Sequence, residues 1–386
     1  MRAMIVVTHL LGTGHLARAR VLAAAFRDAG HRVLLVSGGM PVAHLAAGGA
    51  GAAEWLQLPP VAAEGADFAR LMRPDGMPVD AAWLGARTAM LLAALRDFAP
   101  DCLITELYPF GRRSLRAEFD ALLAAASAQA PRPCILASVR DILAPPSKPE
   151  RAAQTEAILA AHYDAVLVHA DPAETPLDVS WPVTEWLRPR LRYTGYIAPA
   201  APAAPTGADQ GAVVVSAGGG DVGAALFEAA LQAAADGPAR RWHLLVGGGR
   251  AAAECDRLRA LAARLPGLAH RAVIEPARAD FRALLLGAAA SVSLCGYNTA
   301  LDLLVTGTPG VFVPFDAGRE TEQRMRAEAL ARRPQFAVVN AAELGPGTLN
   351  AALDRVLAAG RFTPDLRMLN GAAQSVAIAE SLVDAR

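Results

Sequence analysis

Short apolar runs alternate along the chain with longer segments in which apolar residues recur at helical spacing. In the first half, the runs that predict buried strands are Met4–Thr8, Arg32–Ser37, Cys102–Thr105, Cys134–Ser138 and Ala165–His169. Between the first two runs, the spacing predicts a helix over Leu16–Ala29, and a later helix is predicted over Ala117–Ala130. Strands that alternate with helices are typical of a parallel sheet with crossover connections, so the pattern predicts an α/β fold.

The pattern is interrupted at residues 198–211, which read APAAPAAPTGADQG. Pro, Ala and Gly without periodicity are typical of an interdomain linker. The alternation then restarts, with predicted strands at Ala212–Ser216, His243–Val246, Ala272–Ile274, Ser291–Leu294 and Val311–Val313. We therefore predict a first domain over 1–200, a linker over 201–210, a second domain over 211–365 and a C-terminal helix within 366–386. Each half opens with a strand, a glycine-rich turn and a helix, as doubly wound domains do.

Composition narrows the class of protein. The chain has 386 residues, of which 53% are hydrophobic and 19% charged, enough apolar material for two folded domains. Its 37 basic and 37 acidic residues balance, which argues against a partner recognised through a basic surface, such as nucleic acid. The four cysteines are far apart, so neither a disulfide scaffold nor a zinc site is expected. No signal-peptide pattern or membrane-length apolar stretch is visible, and we expect a cytoplasmic protein with at most peripheral membrane contact.

A glycine loop, Gly12-Thr13-Gly14-His15, lies between the first predicted strand and the first helix. Backbone N–H groups at such a helix start favour a bound anion. The loop is not a dinucleotide fingerprint, because Ala17 stands where a third glycine belongs and no acidic residue follows the second strand. No GxxxxGK[ST] sequence is present either, so nicotinamide and P-loop enzymes are disfavoured. Tight turns alone would also explain these glycines.

His15 lies at the carboxyl edge of the first predicted strand, where doubly wound sheets bind their ligands. A histidine titrates near neutral pH and therefore suits a general base. A histidine at a helix start also serves as a capping or solvent-facing residue, so the residue alone leaves both interpretations open.

The stretch richest in candidate chemistry follows the predicted strand Ser291–Leu294. It reads Cys295-Gly296-Tyr297-Asn298-Thr299 and leads into a helix that begins near Asn298. A glycine lets the backbone approach a ligand, and the free N–H groups with the Asn298 and Thr299 side chains can hold phosphate oxygens. The stretch therefore indicates a site for a phosphorylated ligand.

Acidic and amide side chains extend this candidate site. Asp302 falls on the same helical face as Thr299 and can accept hydrogen bonds from two ribose hydroxyls. Glu322 and Gln323 follow the next strand, where carboxylate and amide groups suit sugar hydroxyls. Taken singly, Asp302 is explained as well by the helix dipole, and the other two by a solvated first turn. At successive strand ends of one sheet, they favour a nucleotide-sugar site.

This stretch resembles the donor-binding signature of GT-B glycosyltransferases, and most nearly that of the bacterial N-acetylglucosaminyltransferases that make the peptidoglycan lipid precursor. The shared pattern is a small residue, Gly-x-x-Thr, an acidic residue, G-x-P, an apolar strand and an acidic-Gln pair. Here it reads Cys295 to Thr299, Asp302, Gly307-Thr308-Pro309, Val311 to Phe315 and Glu322-Gln323. The Gly12–His15 loop also resembles the acceptor-domain loop of these families. The resemblance implies two doubly wound Rossmann-like domains facing a central cleft, with a C-terminal helix that crosses back to the first domain.

The resemblance also implies roles. The second domain would bind a nucleotide-sugar, expected to be UDP-linked, and the first an acceptor hydroxyl, in an inverting reaction without metal or other cofactor. His15 would deprotonate the acceptor, and Glu106 would hold its imidazole, with Asp101 and Asp141 as alternatives and a strand-end surface carboxylate as the other interpretation of Glu106. Further residues expected near the donor are Gly14, Gly218, Gly219, Gly220 and Arg278. The resemblance would place Arg278 beside the uracil ring of the donor nucleotide, although such arginines are more often ion-pair partners.

Two departures from the family pattern affect the donor site. Asp302 replaces the commoner Glu and shortens the reach to the ribose by one methylene. Cys295 replaces the usual small Ser or Gly, so a hydroxyl contact is lost.

Other functions remain open from the sequence. A sugar-nucleotide epimerase or hydrolase on the same scaffold would need no separate acceptor, and a non-catalytic sugar-nucleotide-binding partner would need no base. The acceptor itself, whether a small molecule, a lipid-linked molecule or a glycan, is not specified by any motif.

Overall fold

Apolar strands and amphipathic helices alternate through most of the chain in the computed structural model. The structure describes residues 1–42, 53–64, 67–198, 202, 204, 210–218, 223–268, 270–315 and 321–386. The chain divides into two compact units. Met1–Ala198 and Arg367–Arg386 form the N-terminal unit, and Pro199–Leu366 form the C-terminal unit. The last helix of the chain therefore belongs with its first half.

One sheet organises the N-terminal unit. Its described strands are β1 (Arg2–Val7), β2 (Arg32–Gly39), β3 (Glu54–Glu64), β4 (Asp67–Met72), β5 (Cys102–Glu106), β6 (Cys134–Arg140), β7 (Ala165–His169) and β8 (Leu191–Tyr193). They lie in the order β4-β3-β2-β1-β5-β6-β7-β8, and all neighbours are parallel except β3 with β4. From β1 the chain builds outward through β2 and β3, and it returns to add β5 on the other side of β1. The strand order thus reverses between β1 and β5.

A second sheet organises the C-terminal unit. Its described strands are β9 (Val213–Ser216), β10 (Trp242–Val246), β11 (Ala272–Pro276), β12 (Ala290–Ser293), β13 (Gly310–Phe312) and β14 (Phe336–Val338). They lie in the order β11-β10-β9-β12-β13-β14 and are all parallel. Here the order reverses between β9 and β12, in the same way as between β1 and β5.

Helices cover the faces of both sheets. The described α-helices are α1 (Gly14–Asp28), α2 (Ala81–Phe98), α3 (Arg116–Ser127), α4 (Pro149–His162), α5 (Ala224–Asp236), α6 (Ala251–Ala262), α7 (Phe281–Gly287), α8 (Tyr297–Thr306), α9 (Glu322–Leu330), α10 (Pro346–Ala359) and α11 (Gly371–Asp384). The helix predicted over Leu16–Ala29 is confirmed as α1, and its apolar residues Leu16, Ala19, Ala23 and Phe26 are all buried. In the part of the chain that the structure describes, no helix is long and apolar enough to cross a membrane.

The central strands and the edge strand β11 match the predicted apolar runs, whereas most other strands at or near the sheet edges were not predicted. The strands β3, β4, β8 and β14 were not predicted and lie at or near sheet edges. Edge strands are shorter or exposed on one side, so they lack the continuous apolar run that marks a strand buried on both faces. β3 also contains two prolines, Pro59 and Pro60, which argue against a strand in a prediction from sequence.

Candidate active site

The carboxyl ends of β1 and β5 form the point where strand order reverses in the N-terminal unit. In open parallel sheets, ligands bind in the crevice at such a point, because the loops on either side run to opposite faces of the sheet. His15 lies in the first turn of α1, which follows β1, and Glu106 is the last residue of β5. Two residues that are 91 positions apart in sequence are thereby brought together.

The His15 and Glu106 side chains are hydrogen-bonded. Nδ1 of His15 lies 2.7 Å from Oε1 of Glu106. An ionised carboxylate only accepts hydrogen bonds, so the Nδ1–H must donate and Nε2 keeps its lone pair. The Glu106 side chain is 2% exposed and the His15 side chain 15% exposed. This is the base-and-orienter geometry that nucleophile activation requires, and it joins the two residues that the sequence singled out.

Both groups have shifted pKa values. Burial lowers the pKa of His15 to about 4, and the nearby Glu106 carboxylate offsets only part of that effect. Burial alone would raise the pKa of Glu106, yet the charges and hydrogen bonds of His15 and Arg18, with Arg112, hold it well below its ordinary range. At neutral pH the pair is therefore a neutral imidazole beside a carboxylate, the state in which a base can accept a proton.

Two arginines of this site were not predicted. Arg18 follows His15 by one helical turn and forms a buried ion pair with Oε1 of Glu106. Arg112 lies in the loop after β5, with Nη2 3.7 Å from the other oxygen of Glu106. The spacing of Arg18 from His15 was a signal available in the sequence, because residues three apart share a helix face. Arg112 carried no such signal, since the loop conformation places it.

The alternative partners for His15 lie elsewhere. Asp101 precedes β5 at the opposite edge of the sheet, where Oδ2 accepts a 2.6 Å hydrogen bond from the backbone N–H of Arg2. Asp141 is fully buried and Oδ1 accepts a 2.8 Å hydrogen bond from the N–H of Ile142. Glu106 is thus the carboxylate that contacts His15, and its burial contradicts the interpretation as a surface residue.

In the C-terminal unit, the corresponding point of reversal lies between β9 and β12. Ser216 and Ser293 are opposite each other in the register of these strands, so the loops that follow leave the same edge side by side. Gly218, with φ of +78°, begins the first loop, and Gly296 caps α8 at the end of the second. A Cβ added at either glycine would meet no atom within 4 Å among the described residues, so both backbones are open to a ligand. The predicted donor residues Gly219 and Gly220 lie outside the described residues.

The first turn of α8 has a buried side and an open side. Asn298 is exposed and Thr299 half-buried, as residues that meet a ligand should be, but Tyr297 is buried. The guanidinium of Arg326 lies over the Tyr297 ring, 5.6 Å from its centre. The buried Tyr297 ring therefore supports the loop, and the place of this residue in the donor-binding loop stays a prediction.

Arg326 also connects the loop to α9. Its Nη1 donates a 2.9 Å hydrogen bond to the carbonyl of Cys295, and its Nη2 donates a 3.0 Å bond to Oε1 of Glu322. Oε1 of Gln323 accepts a 3.1 Å hydrogen bond from the N–H of Phe315. Gln323 thus holds the loop after β13 directly, and Glu322 acts on the Cys295 loop through Arg326, a positioning residue that was not predicted from the sequence.

Asp302 and Arg278 are both ion-paired. Oδ1 of Asp302 lies 2.9 Å from Nε of Arg282, and burial raises the pKa of Asp302 to about 7 despite this partner. One of the two oxygens expected to meet a ribose is therefore already occupied. Arg278 pairs with Asp280 at 2.7 Å and Glu275 at 3.2 Å, and it is exposed. It is thus a surface ion-pair residue, the other role that the sequence allowed, and its place beside a nucleotide base stays a prediction.

Known structures with this fold cover almost the whole chain. MurG from Acinetobacter baumannii has a TM-score of 0.61 and 16% identity, over 100% of this chain and 99% of that one. The calicheamicin glycosyltransferase CalG4 has a TM-score of 0.60 and 16% identity, over 100% and 97%. The glycosyltransferase VinC in complex with DTDP has a TM-score of 0.59 and 17% identity, over 100% of both chains. A search of curated protein sequences finds no match.

The fold is that of the GT-B glycosyltransferases, as the sequence predicted. Residues 216–379 match the glycosyltransferase family 28 C-terminal domain. The matched segment spans most of the C-terminal unit and continues into α11, and the solved structures show the fold of the chain.

Proposed function

We propose that the protein transfers a sugar from a UDP-linked donor to an acceptor hydroxyl, with inversion at the anomeric carbon and without a metal ion. The observation that carries the proposal is the 2.7 Å hydrogen bond from Nδ1 of His15 to the buried Glu106. In an inverting transfer, one base removes the acceptor proton while the acceptor oxygen attacks the face opposite the leaving nucleotide. His15 accepts that proton on Nε2, and Glu106 stabilises the imidazolium that forms.

The donor would bind at the reversal point of the C-terminal unit. The N-terminus of α8 follows Gly296, and its unpaired N–H groups and helix dipole favour the diphosphate. Because these groups stabilise the charge that develops on the departing nucleotide, the transfer needs no metal at this position. Ionised Asp302 would accept a hydrogen bond from the ribose through the oxygen that Arg282 leaves open. The cytoplasmic location stays a prediction from the sequence.

The nucleotide preference and the donor site are tested together by isothermal titration. We expect UDP to bind the full-length protein, and Asp302→Ala to weaken UDP binding about tenfold or more, the loss expected for a hydrogen bond to a charged group. dTDP and GDP are the comparison ligands. Tighter binding of dTDP would overturn the choice of UDP, and binding of none of the three would overturn the donor assignment.

The base is tested by transfer from UDP-sugars to a panel of hydroxyl acceptors. We expect His15→Gln to reduce transfer by about 10²- to 10⁴-fold, the usual contribution of general base catalysis, with UDP affinity unchanged. His31→Gln is the matched control, because His31 pairs with Glu380 on another part of the N-terminal unit. Proton NMR of the product should show inverted anomeric configuration. Retention of configuration, or full transfer by His15→Gln, would contradict the mechanism.

A further inference from the structure

Arg112 is held in an unfavourable conformation beside the candidate base. It follows Gly111 in the loop after β5 and has a φ of +60°, in the left-handed region that side chains other than glycine rarely adopt. It is nevertheless buried, with 8% of its surface exposed. Residues kept in such conformations cluster at ligand sites, where the surrounding structure maintains the strain.

The Arg112 guanidinium lacks a full set of partners. Among the described residues, its buried Nε and Nη2 atoms have no hydrogen-bond partner. The nearest carboxylate oxygen, Oε2 of Glu106, is 3.7 Å from Nη2 and too far for a hydrogen bond. The other oxygen of Glu106 is already bound by His15 and Arg18. Leaving donors of a buried charged group unpaired is costly, and the missing partner would be an acceptor with negative charge.

Other arginines act electrostatically on Arg112. Burial lowers the pKa of Arg112, and the charges of Arg140 and Arg18 lower it further, while the charge of Glu106 raises it. Arg18 and Arg112 both approach the Glu106 carboxylate, and Arg140 ends β6, the strand beside β5. His15 does not add a compensating charge, because it is neutral above about pH 4.

We propose that Arg112 binds an anionic oxygen group of the acceptor, a carboxylate or a phosphate, next to the hydroxyl that His15 deprotonates. The proposal rests on the proposed function, since it specifies the acceptor of that same site. A guanidinium offers parallel N–H groups that match two oxygens of such an anion, and the anion would supply the acceptors that Nε and Nη2 lack. The overall charge balance of the chain disfavours a polyanion but not a small acceptor with one anionic group.

The test is a titration of the full-length protein with inorganic phosphate and, separately, acetate, at constant ionic strength and with saturating UDP. UDP fills the donor site, so any remaining anion binding is separate from it. We expect saturable binding of at least one probe, and the tighter probe distinguishes phosphate from carboxylate recognition. Arg112→Gln should weaken that binding about tenfold or more. Arg116→Gln, which removes an exposed arginine four residues further along, should leave it unchanged.

A second readout places the anion near the base. In protein labelled with ¹⁵N-histidine, the probe should shift the His15 resonances of the wild type and not those of Arg112→Gln. Arg112→Lys should bind more weakly than the wild type but more tightly than Arg112→Gln, because a lysine keeps the charge and loses the paired N–H groups.

Several outcomes would overturn the proposal. The proposal is wrong if neither probe binds saturably, or if the wild type and Arg112→Gln bind equally well. It is also wrong if adding UDP abolishes the binding. Because the free protein carries unpaired buried donors here, Arg112→Gln should fold with an equal or higher Tm, and a collapse of Tm would show a structural role instead. If UDP itself does not bind, the proposed function fails, while the phosphate titration without UDP still tests Arg112.

Discussion

The protonation state of His15 determines what the N-terminal unit can do at a given pH. A histidine with a pKa near its ordinary value would be half charged in mildly acidic solution and unable to accept a proton. Burial lowers the pKa of His15 to about 4, so the imidazole stays neutral over a wider range. In the proposed transfer, the accompanying loss of basicity would be offset because the imidazolium would form beside ionised Glu106.

This pKa predicts the acid limb of the pH profile. The value of kcat/KM for the acceptor, measured with saturating donor, should hold as pH falls through 6 and decline with a midpoint near the His15 pKa of about 4, because it reports the enzyme before the acceptor binds. Saturating donor at every pH keeps the titration of Asp302 out of the profile. The profile is measured over the range in which far-UV circular dichroism shows a folded protein. An acid limb centred near the ordinary histidine value would contradict the assignment of His15.

Glu106 is expected to act through His15. Glu106→Gln should reduce kcat by about 10²- to 10⁴-fold, because an amide neither fixes the imidazole tautomer nor stabilises the imidazolium. The affinity for UDP should not change, since Glu106 lies in the N-terminal unit. Glu118→Gln would be a poor control, because Glu118 bonds buried Arg87, so the exposed Glu64→Gln is used instead. Equal losses in both variants would show that the effect is not specific to Glu106.

Asp302 is expected to make donor binding depend on pH. Burial raises its pKa to about 7, so the carboxylate becomes fully ionised only above neutral pH. If the ionised form accepts the ribose hydroxyl, UDP affinity should rise between about pH 6 and 8 and should be flat over the same range for Asp302→Asn. Isothermal titration in buffers of matched ionic strength measures both proteins. The same pH dependence in the variant would assign it to another group.

At the scale of single elements, two glycines differ in whether close packing requires the absence of a side chain. A Cβ at Gly371, the first residue of α11, would lie 2.3 Å from the carbonyl oxygen of Gly195, so a side chain there would displace the helix from its place in the N-terminal unit. A Cβ at Gly85, within α2, would meet no atom within 4 Å among the described residues. The same substitution is therefore expected to act in opposite directions at the two positions.

Gly371→Ala should lower the free energy of unfolding by about 1–3 kcal/mol, the range for an overpacked site. Gly85→Ala should raise it by about 0.5–1 kcal/mol, because alanine restricts the unfolded chain and favours the helix. Urea denaturation of the two variants beside the wild type measures both changes. Destabilisation by Gly85→Ala, or none by Gly371→Ala, would contradict this account of how α2 and α11 pack.

The sequence predicted those strands and helices whose burial produces a recognisable pattern of apolar residues. The central strands β1, β5, β6, β9 and β12 are buried on both faces and appear as continuous apolar runs. The loop positions of the sites did not follow from periodicity. Glu106 was predicted from the family resemblance, whereas Arg112 depends on a loop conformation that no spacing rule encodes. Arg326 follows Glu322 by four residues on one helix, but its bond to the Cys295 carbonyl depends on the fold.

At the scale of the whole molecule, acidification affects the stability of the two units in opposite directions, because their buried titratable groups differ. In the N-terminal unit, burial lowers the pKa of His15 to about 4 and of His169 to about 3. The unfolded chain therefore takes up protons that the folded unit does not, and stability is lost as pH falls below about 6.5. In the C-terminal unit, the raised pKa of Asp302 has the reverse effect, since the folded form binds the proton more tightly.

Lowering the pH from 7 to 5 should thus destabilise the N-terminal unit, by on the order of 2 kcal/mol for each buried histidine. Over the same range Asp302 should favour the folded C-terminal unit. Hydrogen exchange followed by mass spectrometry, corrected for intrinsic rates, compares peptides from β1 with peptides from β12. Equal loss of protection in both would contradict the opposite signs of these groups.

The division into a unit with the candidate base and a unit with the candidate donor site was predicted from the sequence, but the contacts within each site were predicted only in part. The donor motif carried the family resemblance and predicted the Gly296 loop. The Glu322–Arg326 pair has the i,i+4 spacing of helical ion pairs, whereas the pair of Asp302 with Arg282 joins two helices and depends on the fold. The sequence therefore predicts which residue types lie in the sites. The packing of the folded chain decides which of their polar atoms are free to bind a ligand.

The most direct test of the central claim compares two constants in one variant, the rate of sugar transfer and the affinity for UDP in His15→Gln. The acceptor panel includes hydroxyl compounds with and without a carboxylate or phosphate. We expect transfer to fall by about 10²- to 10⁴-fold, while the Kd for UDP stays within about twofold of the wild type. Transfer at the wild-type rate with intact UDP binding would contradict the claim that His15 is the base.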